Sequence, residues 1–143
     1  VKNHINQTND SLTQVKNQLH TTGLKDQLTQ GQKQTTRTKL TEANEHIRSA
    51  GQHLGTNPGS PVDLRSASNP ITKYLKLVSD GQNQLSQATK MISKLDQQKG
   101  QVNPANMLLV QVKLSKAQQA IDFTSTLLGK ALEFIKTTMQ TQI

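Results

Sequence analysis

The feature that most constrains this chain is the rhythm of its last forty residues. From Asn103-Pro104 onward, Met107, Val110, Leu114, Ala117, Ile121, Leu128, Ala131, Ile135 and Met139 recur at steps of three and four and their multiples, a 3.5-residue period sustained for about nine turns. A strand would need strict alternation, so this period predicts one long helix and an all-α protein.

A second stripe precedes it. Asn69 suits a helix N-cap and Pro70 the first helical position, where a missing N–H goes unnoticed. Ile71, Tyr74, Leu75, Val78, Gly81, Leu85, Ala88, Ile92 and Leu95 then follow the same three-four spacing, and Gly100 is placed to end the helix as a left-handed cap. Helices over about 70–98 and 104–141, joined by a few residues, are expected to be antiparallel neighbours, so residues 69–143 read as a helical hairpin. Its seam on the first helix is Ile71, Leu75, Val78, Leu85, Ile92 and Leu95. At 1.5 Å per residue the helices are roughly 45 Å and 55–60 Å long, so the second overhangs by about 10 Å or more. It also carries Leu108, Leu109, Val112, Phe123, Leu127 and Phe134 outside its seam, more apolar surface than one facing helix buries.

The N-terminal half reads differently. Only fragments of a stripe (Leu12, Val15, Leu19) appear in residues 1–35 before Gly23 and Gly31 interrupt, which predicts a flexible leader. Leu40, Ala43, Ile47, Ala50 and Leu54 predict a short amphipathic helix over 36–55, and the Pro/Gly/Ser-rich stretch 56–68 predicts a linker. Composition points the same way. With 31% hydrophobic and 2% aromatic residues, against about 45–50% apolar in ordinary domains, the expected core is small and the N-terminal half is expected to be partly disordered.

The absence of cysteine excludes disulfides, thiolate nucleophiles and Cys-ligated zinc. No segment approaches the roughly 18 apolar residues of a membrane span, and the first residues lack a signal-peptide core. The net charge of +8 comes from cations scattered in ones and twos, with no basic run and no interleaved aromatics, so a solvated basic surface is expected rather than nucleic-acid binding. His4, His20, His46 and His53 are too dispersed to grip one metal, and the carboxylates stand apart from any histidine partner. No enzyme chemistry, cofactor or small-molecule substrate is expected. Gly81 and Gly129 cost around 1 kcal/mol each in helix interiors, and close helix packing would explain them.

Asn103-Pro104, Met107-Leu108, Gln111, the continuous amphipathic helix, Gly129-Lys130, Ile135 and the polar Gln140/Gln142 ending together resemble the C-terminus of type III secretion inner-rod proteins, the Esc type of attaching-and-effacing enteric bacteria in particular. The resemblance covers residues 103–143 and leaves 1–68 unaligned. It implies a structural subunit exported by the type III pathway, with an uncleaved signal near residues 1–20, that joins the export gate to the needle filament in the cell envelope. The implied assembly surface is Met107, Leu108, Val110, Leu114, Ile121, Leu128, Ile135 and Met139. Implied partners are further copies of the chain, the needle-filament subunit, export-gate membrane proteins and the outer-membrane secretin ring. The alternatives are a needle-filament or translocator-like secreted helical protein, or a basic coiled-coil or DNA-associated adaptor.

Overall fold

The computed structural model describes residues 1–98 and 103–141, with side chains as far as residue 137 in the last helix. Gly100, the side chain of Met139 and the Gln140/Gln142 ending lie outside the residues so described. Within them the fold is all-helical: α1 (Lys2–Leu19), a single turn α2 (Leu24–Gln27), α3 (Gln30–Leu54), α4 (Pro70–Gln97) and α5 (Pro104–Thr141).

Helix α1 corrects the expectation of a flexible leader and a partly disordered N-terminal half. Ile5, Thr8, Leu12, Val15 and Leu19 are all buried, an unbroken 3-4-3-4 stripe. The link missing from the apolar pattern is Thr8, whose hydroxyl donates to the His4 carbonyl at 2.8 Å. Satisfied within its own helix, the threonine enters the core without an unpaired polar group. Gly23 then turns the chain with φ 87°, a left-handed conformation open to glycine, and sets Leu24 and Leu28 into the core.

Helix α3 is also longer than the short helix expected over 36–55. It opens at a capping box, in which the Gln32 backbone N–H donates to Thr29 Oγ1 (3.1 Å) and the Thr29 N–H donates to Gln32 Oε1 (2.9 Å). Two orphan donors are satisfied, so Gly31 is carried in the first turn instead of breaking the helix. Thr36 repeats the device seen at Thr8, buried and bonded to the Gln32 carbonyl at 2.8 Å. The helix stops at Gly55, φ 98°.

Contacts along the helices fix their directions. Tyr74 donates to the Lys33 carbonyl, Asp80 meets Asn44 and Arg48, and Gly55 lies beside Met91, so α3 and α4 run parallel. Lys2 reaches Asp96 and Gln82 reaches Thr13, so α1 is antiparallel to α4. Gln118 meets Ser11 and Gln18 meets Ser125, so α1 and α5 are parallel. Lys39 lies over Phe123, while Lys113 and Lys116 bear on His46, so α3 and α5 are antiparallel.

The result is a four-helix bundle in which α1 and α3 each pack against both α4 and α5. The expected hairpin does not form: α4 and α5 run antiparallel but occupy opposite corners, with α1 and α3 between them. Two helices alone would leave each stripe covered on one flank, whereas four give the stripes a common interior. Val78, Leu85 and Ile92 of the expected seam are buried there; Ile71, Leu75 and Leu95 are half-buried at its margin.

Parallel α3 and α4 demand a long return. Helix α3 spans roughly 37 Å, and the fourteen residues 56–69, nearly extended, can reach about 46 Å. This stretch is a fastened strap. Arg48 donates to the carbonyls of Gly59 (3.2 Å) and Ser60 (2.8 Å), Gln84 donates to that of Pro58 (2.9 Å), and Ala67 is buried. Arg48 also forms a two-pronged ion pair with Asp80 (Nε–Oδ2 2.9 Å, second nitrogen to Oδ1 2.9 Å), and Asn44 donates to the same carboxylate at 2.7 Å. Burial alone would raise the Asp80 pKa. The hydrogen bonds from Arg48 and Asn44, with the Arg48 charge, outweigh it and hold the carboxyl below its ordinary 3.8.

Candidate assembly surface

Asn103 caps α5, its side chain accepting from the Ala105 N–H at 2.9 Å, and Pro104 occupies the first helical position. From there the helix is apolar on two sides. The inner side is core: Val110, Leu114, Ile121 and Leu128 are each no more than 1% exposed, with Ala117 and Thr124 between them. Thr124 bonds the Ala120 carbonyl at 2.9 Å, the third buried threonine of this kind.

Four of the eight residues expected to form the assembly surface are therefore committed to the chain's own interior. The period of 3.5 finds the buried side of a helix but does not say whether the covering helices belong to the same chain. Here they are α1, which was expected to be a flexible leader, and α3, of which only the part over 36–55 was expected to be helical. Met107 and Ile135 are half-buried against the core, and Leu108 is open to solvent.

The outer side carries what the interior does not use. Leu108, Leu109, Val112, Phe123 and Phe134 are 64%, 42%, 40%, 51% and 60% exposed. On a helix they and half-buried Leu127 fall within an arc of about 100° along roughly 39 Å of axis, an apolar stripe that Lys116, Gln119 and Lys130 interrupt. Exposed apolar surface of this kind is a common form of interaction site, which makes this side of α5 the candidate.

Phe123 sits at its centre, in the furrow between α3 and α5. The Lys39 ammonium lies 5.2 Å from its ring centroid and is paired with Glu42 at 3.5 Å. A hollow opens on either side of the ring. One, of about 570 Å³, is lined by Gln32, Asp122, Leu127 and Lys130; the other, of about 300 Å³, by Glu42, His46 and Lys116. Partial burial and the neighbouring Lys113 and Lys116 charges lower the His46 pKa against the opposing pull of Glu42 and Glu45, which favours the uncharged imidazole.

The two singled-out glycines differ. A Cβ on Gly81 would meet Leu12 Cδ1 at 3.2 Å and Ile47 Cδ1 at 3.5 Å, so α1 and α3 both close on α4 at this point, through side chains rather than backbone. At Gly129 a Cβ would meet only the Gln18 amide, at an ordinary 3.8 Å; close packing does not require this glycine, and nothing else in the structure explains it.

Among the described residues no three His, Asp or Glu side chains gather to hold a metal, and no helix is long and apolar enough to cross a membrane. Compared with protein families, curated proteins and solved structures, the chain matches none.

Proposed function

We propose that the chain is a structural subunit of the type III secretion inner rod, assembling with its own copies, with the needle filament and with the export gate through the outer stripe of α5. The observation that carries this reading is the stripe itself, which lies within residues 103–143, where the sequence resembles inner-rod proteins. An assembly contact through Val110, Leu114, Ile121 or Leu128 would require the bundle to open, whereas Leu108, Leu109, Val112, Phe123 and Phe134 are offered by the folded chain.

An export signal near residues 1–20 is part of the proposal, and it carries a physical consequence. Those residues build α1, so reading the signal in an extended form removes one corner of the bundle. A chain without disulfides and with a modest core can be opened in this way and refolded after passage. The test is an electron cryo-microscopy map of the isolated secretion apparatus. The chain is expected beneath the needle base; a position in the filament shaft would instead make it a needle subunit, and its absence from the apparatus would end both readings.

A further inference from the structure

The end of the bundle where α3 and α4 begin holds a cleft unrelated to the α5 stripe. It measures about 690 Å³, within the range of small-molecule sites. Its registry is fixed by Tyr74, buried to 2% exposure, whose hydroxyl donates to the Lys33 carbonyl at 2.8 Å. That bond sets Lys33 of α3 level with Lys73, the residue beside Tyr74 on α4. Arg37, one turn further along α3, lines the same wall, and Leu64 of the strap and Pro70 add an apolar patch.

The charge of the cleft is unbalanced. Among the described residues no ion pair is formed by Lys33, Arg37 or Lys73, as is true of most of the chain's cations; those that reach a carboxylate are Lys2, Lys39, Arg48 and Arg65. The one acid in the lining, Glu42, is engaged by Lys39. Three cationic side chains thus line one concavity whose single acid is already engaged, so the field there is positive and is focused by the low-dielectric walls. A ligand carrying two or more negative charges is drawn to that field. The guanidinium of Arg37 offers paired N–H donors suited to a phosphoryl group, with the two ammonium groups as point charges beside it. The volume exceeds that of phosphate alone, so an organic portion has room against Leu64 and Pro70.

We propose that this cleft binds a phosphate-bearing ligand of at least two negative charges through Lys33, Arg37 and Lys73. The site does not rest on the assembly reading and would stand if that reading failed. Its source is either a free phosphate ester or a phospholipid headgroup, which share the recognised chemistry.

The test is calorimetric titration of the full chain with inorganic pyrophosphate at low salt, repeated for Lys73→Gln, Arg37→Gln and, as a control at the other end of α4, Lys90→Gln. Saturable one-to-one binding is expected, weakened about fivefold by either cleft substitution and unchanged by Lys90→Gln. Arg37 is exposed, so its replacement leaves the fold intact and carries the test even if Lys73→Gln disturbs helicity. Vesicles of phosphatidylcholine with phosphatidic acid distinguish the sources: binding that pyrophosphate displaces identifies a headgroup ligand, and no binding beside a positive titration identifies a free one. Absence of saturable pyrophosphate binding, or equal weakening by Lys90→Gln, overturns the proposal, since the overall charge of +8 would then explain any attraction.

Discussion

Leu12→Ala is the perturbation that separates a structural α1 from a loose leader. Leu12 is 2% exposed and its Cδ1 lies against Gly81, a residue with no side chain to move into the vacated space. Leucine-to-alanine changes in cores cost about 2–5 kcal/mol, and the upper half applies where the site cannot collapse. The expected loss is therefore about 3–4 kcal/mol, equivalent to a fall of roughly 10 °C in Tm for a chain of this size. Urea unfolding followed by far-ultraviolet circular dichroism measures it, with Leu108→Ala, 64% exposed, as a control expected to change stability by less than about 0.5 kcal/mol. A Leu12→Ala loss below about 1 kcal/mol would refute the reasoning, because α1 would then lie outside the cooperative unit.

Asp80→Ala leaves Arg48, whose side chain is 13% exposed, without its counter-charge, and should cost about 2–4 kcal/mol. Arg48→Ala removes the hydrogen bonds to the Gly59 and Ser60 carbonyls, so limited proteolysis within residues 56–66 should be faster than in the wild-type chain. Burial raises the Tyr74 pKa from 10.0 to about 12, despite the opposing Arg37 charge. The folded phenol thus holds its proton where the unfolded one loses it, so this contribution is complete below pH 10 and falls away as pH rises to 12, by about 2–3 kcal/mol. Tyr74→Phe should abolish that alkaline decline, as read from unfolding midpoints at pH 9 and pH 11.5.

The C-terminal half was the legible half because its signals are strong and local. Asn69-Pro70 and Asn103-Pro104 are where α4 and α5 start, and leucine, isoleucine and valine mark most of the buried sides, with Leu108, Leu109 and Val112 of α5 as the exceptions. The N-terminal half was hidden by chemistry that mimics disorder. Thr8 and Thr36 look like solvent-facing residues until their hydroxyls are turned onto the preceding carbonyls, and Gly31 looks like a breaker until Thr29 and Gln32 cap the helix around it. The T-x-x-Q spacing at 29–32 was the signal that could have found α3's start. Pairing was not legible in the same way. A short loop sets two helices antiparallel, but only the total number of stripes needing cover decides whether they touch. With α1 and α3 restored, the inner stripe of α5 ceases to be a spare surface and the outer one becomes the candidate.

The most direct measurement is incorporation of a Leu108→Asp, Phe123→Asp chain into the isolated secretion apparatus, with its melting curve beside that of Ile121→Asp. Ile121 is 0% exposed, and a carboxylate there must be desolvated or protonated, so Ile121→Asp should lose several kcal/mol and fail to fold. The outer pair, 64% and 51% exposed, should melt within a few degrees of wild type and yet be missing from the apparatus. A folded Leu108→Asp, Phe123→Asp chain that enters the apparatus at the wild-type level would contradict the assignment of the α5 outer stripe as the assembly surface.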